Sequence, residues 1–178
     1  MKTNIALIGF MGTGKTVVGR LLAKKLGRKL IEPDSLIEQK AGKPIPEIFQ
    51  QDGEIAFREL EIELVKKIAG EEYSIIACGG GIVLNKINID RLKERARIVY
   101  LTASPQTILN RVSIEEGQRP LLKVNNPDLA IRQLLKFRQP FYEQAADITI
   151  NTSKLDINAV AKQIIEKLKE DESFSFQK

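Results

Sequence analysis

Histidine is absent from the 178 residues of this chain, and cysteine occurs once, at Cys78. Without histidine the usual zinc clusters and every histidine base are excluded, and a single cysteine cannot close an internal disulfide. Acid and base work therefore falls to carboxylates, lysines or bound water. Nothing near Cys78 marks it as a nucleophile, so it reads as a small buried hydrophobe. Long apolar runs are missing too: no stretch approaches the roughly 20 residues that cross a bilayer, and no signal-peptide layout of charge, apolar run and small-residue cleavage site opens the chain. A cytoplasmic protein with no membrane contact is the expectation.

What is present suits one domain. The hydrophobic fraction is 43%, enough for a sizeable core at this length. Lys plus Arg number 28 against 23 Asp plus Glu, a formal charge of +5, but the basic residues are dispersed through helical segments rather than gathered in a stripe. That favours a protein handling anionic phosphates over a nucleic-acid binder, and no nucleic acid is expected as a partner. Short apolar runs at residues 5–8, 29–31, 74–77, 97–101 and 147–150 read as strands. Between them amphipathic patterns predict helices at 15–26, 35–41, 53–69, 89–95, 105–112, 129–145 and 157–170, the first three stopped by Gly27, Gly42 and Gly70. The alternation predicts an α/β fold, a three-layer sandwich with a five-stranded parallel sheet covered on both faces. One domain is expected over residues 1–172, with a flexible tail at 173–178. The segment SIEEGQRPLLKVNN, residues 113–126, has no clean period and reads as a mobile lid long enough to close over a site.

GFMGTGKT, residues 9–16, follows the first strand and opens the first helix, the context that makes such a loop a phosphate cradle of P-loop kinase type. Gly9, Gly12 and Gly14 let the backbone curl so that amide hydrogens point inward at a helix N-terminus, where the dipole favours anions. The candidate nucleotide set is Gly12, Thr13, Gly14, Lys15, Thr16 and Val17, with Lys15 reaching the terminal phosphates and the Thr16 hydroxyl offered to Mg2+. Gly19, inside the helix at a propensity cost near ~1 kcal/mol, implies close packing on that face. A GTPase would carry Asn-Lys-x-Asp after a late strand; the nearest match, NKIN at 85–88, lacks the aspartate and precedes a helix. The serine-glycine-glycine-glutamine signature of transporter ATPases is absent. A kinase for a small metabolite is the leading class.

The acceptor side is read from separate segments. In LIEPDSLIE, residues 30–38, Pro33 should hold Glu32 extended, and Ser35 is expected to form a capping box with Glu38, leaving Asp34 free for another role. Arg58 has Glu54 and Glu61 at ion-pairing spacing on the long helix. ACGGGIVL places Gly79, Gly80 and Gly81 directly after the third strand, where three glycines permit close approach to backbone amides. Arg119 lies in the irregular segment, and Arg138 precedes Pro140, which should kink or interrupt its helix. Arginines, an aspartate and a glycine triplet suit a small polyhydroxylated acid whose carboxylate is clamped by guanidinium groups.

Taken in order, these motifs resemble the shikimate kinase family of the nucleoside-monophosphate-kinase-like group over nearly the whole chain. GFMGTGKT is similar to the family's nucleotide loop, LIEPDSLIE to its Asp-x-Asp segment, FRELE, CGGGIVL and FRQPFYEQAAD to its acceptor motifs, and RPLL to its lid motif. The resemblance implies transfer of the γ-phosphoryl group of MgATP to the 3-hydroxyl of shikimate, giving shikimate 3-phosphate and ADP on the route to chorismate and the aromatic amino acids. It implies that Asp34, Arg58, Gly79, Gly80, Gly81 and Arg138 bind shikimate, and that Lys15, Asp34 and Arg119 are catalytic. Arg111 and the stretch 153–155 would lie beside adenine, with Arg119 also reaching the nucleotide. Mg2+ is the implied cofactor, held by Thr16 and, through water, by Glu32, where the family has aspartate; one extra methylene leaves the metal geometry open. ATP and shikimate are the expected small-molecule partners of a monomer. Two alternatives stand beside this: a kinase for gluconate or a nucleoside monophosphate, and a nucleotide-binding protein without turnover.

Overall fold

The structure, a computed structural model, describes residues 1–114 and 126–177. Most of the expected lid, Arg119 included, lies outside the described residues. Five strands, β1 (Asn4–Ile8), β2 (Lys29–Ile31), β3 (Ser74–Ala77), β4 (Ala96–Thr102) and β5 (Ile148–Asn151), form one sheet in the order β2-β3-β1-β4-β5. Every pairing is parallel, with Ile5 opposite Ile75 and Arg97 across β1. Among the described residues eight helices connect and cover the strands: α1 (Lys15–Leu26), α2 (Pro33–Ala41), α3 (Ile45–Gln51), α4 (Gly53–Ile68), α5 (Lys86–Arg95), α6 (Pro105–Ile114), α7 (Pro127–Ala145) and α8 (Ile157–Lys169).

Because successive strand residues point to opposite faces, a strand buried on both must be apolar throughout. β1 meets that demand: Ile5 and Leu7 join Val18 and Leu22 of α1 and Val160 and Ile164 of α8. Ala6 and Ile8 join Val65 of α4, Leu92 of α5 and Ile131 and Tyr142 of α7 on the other side. A third cluster, Ile37, Ile48 and Phe57, ties α2, α3 and α4 together beyond the sheet edge.

β1 lies between β3 and β4, so the chain leaves the carboxyl end of β1 beside that of β3, and the Cys78 amide donates to the Leu7 carbonyl at 3.0 Å. In open α/β sheets that edge, where the strand order reverses, is where ligands bind.

Several expectations need correction. α2 begins at Pro33 with Glu32 as its N-cap in extended conformation, φ −113°, so Ser35 lies inside the helix and no capping box forms. Glu38 accepts from the Ile45 amide at 2.9 Å instead, fixing the start of α3, a seven-residue helix too short to show a period. α5 starts at Lys86 because the Asn85 side chain caps the Ile87 amide. α7 runs unbroken through Pro140, anchored by buried Ile131 on one side and Tyr142 and Ala145 on the other. In the expected tail, residues 174–176 make specific contacts. Phe174 is buried and bridges Lys2 in parallel, while Arg28, itself buried, donates to the carbonyls of Ser175 (3.0 Å) and Phe176 (3.3 Å). No helix among the described residues is long and apolar enough to cross a membrane.

Candidate active site

The loop after β1 holds Gly9, Gly12 and Gly14 at φ 144°, 72° and 96°, backbone that residues with a Cβ rarely adopt. It delivers the chain to α1 with no side chain capping the helix, which leaves the first amides available to an anion. Inside the loop the Thr13 hydroxyl and the Lys15 ammonium both donate to the Phe10 carbonyl at 2.8 Å. Gly19 is explained by packing: a Cβ there would stand 3.1 Å from Leu30 Cδ1 and 3.4 Å from Leu7 Cδ1.

A second set of contacts braces the loop from the far side. Arg111 of α6 donates to the Gly12 carbonyl (3.1 Å), to the Thr152 hydroxyl (3.0 Å) and to the Thr152 carbonyl (2.7 Å). Thr152, buried just beyond β5, lies 3.1 Å from the Thr13 carbonyl through its hydroxyl. The edges of the Arg111 guanidinium are thus committed to protein carbonyls and a hydroxyl. Ser153 accepts from the Ser104 amide at 2.9 Å, and Leu155 and Ile157 line the same end of the cleft. Thr152 was not singled out in the sequence, although a polar residue directly after an apolar strand at the ligand-binding edge is the signal that would have found it.

On the acceptor side, Asp34 stands in the first turn of α2, its carboxylate pushed up from the ordinary range by burial; Lys15 and Arg58 oppose the shift, and Glu38 and Glu32 add to it. The glycine triplet makes room for the protein's own side chains. A Cβ at Gly79 would lie 2.9 Å from Asp34 Oδ2, and one at Gly81 would lie 2.7 and 2.8 Å from the Arg58 guanidinium nitrogens. Gly80 accepts from the Tyr142 hydroxyl at 2.6 Å, and Tyr142, one turn beyond Arg138 on α7, has its phenol pushed up to about 12 by burial. Arg58 pairs with Glu54 at 3.2 Å and with both oxygens of Glu61 at 3.2 and 3.1 Å. Both partners at ion-pairing spacing are engaged, but in different surroundings: Glu54 is exposed, whereas Glu61 is 2% exposed, and burial raises its carboxyl against the pull of Arg58. Arg138 lies 5.9 Å from the Phe10 ring centroid, and its Nε is buried with no hydrogen-bond partner among the described residues, a donor suited to an anion.

Donor loop and acceptor cluster share one open cleft of ≈ 1270 Å³. Thr16 and Glu32 both line it, and Glu32 makes a 3.5 Å ion pair with Arg20. Among the described residues no group of three or more His, Cys, Asp or Glu could hold a metal by itself. One hydroxyl and one carboxylate fit a hard cation that takes its remaining oxygens from phosphates and water. Cys78 is buried behind the cleft and its thiol is pushed far up by burial, which leaves it inert.

Comparisons with known proteins identify the family. The family model described as shikimate kinase matches residues 11–169. The shikimate kinase of Thermodesulfovibrio yellowstonii is 47% identical over 162 residues, covering 91% of this chain and 92% of that protein, and that of Moorella thermoacetica is 45% identical over 170 residues, 95% and 96%. Among solved structures, shikimate kinase from Acinetobacter baumannii in complex with shikimate superposes with a TM-score of 0.90 at 37% identity, covering 97% of this chain and 96% of that one. The Aquifex aeolicus enzyme gives 0.82 at 32% identity over 95% and 98%.

Proposed function

This chain belongs to the shikimate kinase family, and on that premise we propose how its cleft carries out the family's reaction. The protein is an ATP-dependent small-molecule kinase that phosphorylates shikimate in aromatic amino-acid biosynthesis. The observation that supports the residue assignments is the placement of Asp34 within the electrostatic reach of Lys15, in one cleft with Arg58, Arg138 and the nucleotide loop.

The amides from Gly12 to Val17 receive the phosphates of ATP at the N-terminus of α1. Lys15 exchanges the Phe10 carbonyl for the terminal phosphates. Arg111 and the residues 153–155 border the adenine. Thr16 and, through water, Glu32 would hold Mg2+, which when bound neutralises phosphate charge. Arg58 and Arg138 clamp the shikimate carboxylate beside Gly79, Gly80 and Gly81. Asp34 accepts a hydrogen bond from the 3-hydroxyl and aims its oxygen along the line of displacement. A bond forms from that oxygen to the γ-phosphorus, the bond to the β,γ-bridging oxygen breaks, and the hydroxyl proton passes to Asp34. A carboxylate is a weak base for an alcohol, so the proton leaves late in a loose transition state and positioning contributes more than basicity. Lys15 and, from the expected lid outside the described residues, Arg119 would neutralise the transferring group. Every group named belongs to one chain, so a monomer suffices.

The test is product identity. Phosphorus NMR of the protein with MgATP and shikimate should show shikimate 3-phosphate accumulating with ADP. Inorganic phosphate in its place would mean that the acceptor hydroxyl is not where this reading puts it.

A further inference from the structure

Asn88 does not itself line the cleft, yet it is completely buried in the first turn of α5, against the cleft-lining Glu61. A buried amide is a costly residue where the neighbours are Ile89, Leu92 and Ile82, and this one is only half satisfied. Its Nδ2 donates to Glu61 Oε2 at 3.2 Å, while its Oδ1 has no hydrogen-bond partner among the described residues. An apolar side chain of similar volume would avoid that unpaired acceptor. Among the described residues its side-chain amide makes one hydrogen bond, to the carboxylate that pairs with Arg58.

We propose that Asn88 is a positioning residue for the acceptor site: it fixes the Glu61 carboxylate, which in turn fixes the Arg58 guanidinium in the plane that receives the shikimate carboxylate. The inference rests on the assignment of Arg58 to that carboxylate. Both Glu61 oxygens lie within 3.2 Å of Arg58 Nη1, so the carboxylate faces donors on two sides, Arg58 from α4 and Asn88 from α5. Without Asn88, burial would act on Glu61 with one hydrogen-bond donor fewer beside Arg58 and Arg138 to oppose it, and the carboxyl would take up a proton more readily. A protonated Glu61 offers Arg58 one fewer acceptor and lets the guanidinium rotate out of the fork geometry. The chain also supplies the means of placing Asn88. The glycine triplet leads into a single turn of 3-10 helix at Ile82–Leu84, and Asn85 caps α5 immediately after it, so the segment that shapes the acceptor pocket carries its own brace.

The charged and titratable groups acting on Glu61 are Arg58 on its own helix, Asp34 of α2, Arg138 of α7 and Cys78 after β3. Glu54 lies beyond Arg58, and Arg91 of α5 is engaged by the Ile62 carbonyl at 3.0 Å. Hydrogen bonding from Asn88 favours the ionised form of Glu61. Shikimate affinity in the native protein is therefore kept at neutral pH and lost as pH falls through the Glu61 carboxyl; removing the donor moves that loss to higher pH.

The experiment measures shikimate binding calorimetrically from pH 5.5 to 8.5, with kinetics at neutral pH, for the native protein and for Asn88→Leu, Asn88→Asp, Glu61→Gln, Asn88→Leu with Glu61→Gln, and Arg58→Ala. Asn88→Leu should raise the pH midpoint of binding by about one unit and raise the KM for shikimate with little change in kcat or in the KM for ATP. Asn88→Asp, nearly isosteric, puts a second carboxyl against Glu61 and should weaken shikimate binding about tenfold or more at neutral pH. Once Glu61 is Gln, the Asn88 change should have no further effect on the pH profile. An unchanged midpoint and KM in Asn88→Leu, or in Asn88→Asp if the leucine variant does not fold, would overturn the role of Asn88 while Arg58→Ala still weakened binding. Unchanged binding in Arg58→Ala would instead remove Arg58 from the acceptor site, and the inference with it.

Discussion

A Cβ on Gly81 would lie within 2.8 Å of two nitrogens of Arg58, and one on Gly79 would press on the Asp34 carboxylate. These glycines therefore act through the side chains they admit as much as through the amides they expose. Gly81→Ala should displace the guanidinium and raise the KM for shikimate about tenfold, a loss near ~1.4 kcal/mol, while the KM for ATP stays within about twofold; steady-state kinetics check both. Asp34→Asn should lower turnover by about 10²- to 10⁴-fold with nucleotide binding retained. Because burial raises the Asp34 carboxyl and the ionised form is the proton acceptor, activity is present above its shifted value and lost as pH falls through it. The acid limb of the native rate profile should lie above the ordinary carboxylate range. At this scale the gathering of Asp34, Arg58 and Arg138 into one cleft follows from segments that are each patterned in the sequence. The depth of Glu61 was not, since spacing along one helix reports its neighbour Arg58 and says nothing of α5 closing over it.

The elements that matter are those whose ends meet at the carboxyl edge of the sheet. α1 was legible in full and β1 but for Asn4, because an apolar run, a glycine-rich turn and an amphipathic period coincide. α2 was misread at its start: serine followed three residues later by glutamate is a capping box only if the preceding residue is not already helical, and Pro33 at the first helical position moved the cap to Glu32. That shift places Glu32 at the junction of β2 and α2, where it pairs with Arg20. Glu32→Asp should lose reach to Arg20 and bring a shorter carboxylate toward the metal's water shell. The expected outcome is a higher affinity for Mg2+ in the nucleotide complex, read by titrating metal against ATP binding. Pro140 of α7 was expected to kink or interrupt its helix; the interruption does not occur, and packing on both sides carries the helix through.

Across the whole molecule, the C-terminal residues that look expendable in sequence close the end of the sheet opposite the cleft. Lys2 pairs with residues 173 and 175, and Arg28 lies over the rings of Phe174 and Phe176 at 5.3 and 5.7 Å. Arg97 holds Asp171, whose carboxyl it lowers to about 2. A depressed carboxyl of this kind contributes stability that is present above its unfolded range and lost as pH falls toward about 2. Removal of residues 173–178 should lower Tm by ~2–6 °C, a cost of about 1–2 kcal/mol, without changing kcat, as thermal melts and kinetics on the truncated chain would read. No local pattern announces this clamp, because its partners are about 70 to 150 positions apart in the chain and Arg28 pairs with backbone carbonyls, which carry no sequence signal.

The central claim is that one cleft brings the terminal phosphate of ATP to the hydroxyl of a carboxylated acceptor held by Arg58 and Arg138. Its most direct test is ADP production from MgATP by the purified protein, with shikimate, gluconate or nucleoside monophosphates at matched concentrations and with none. ADP release that depends on shikimate and on none of the others is the predicted result. Release that is equal with and without shikimate, or that follows another acceptor, would contradict it.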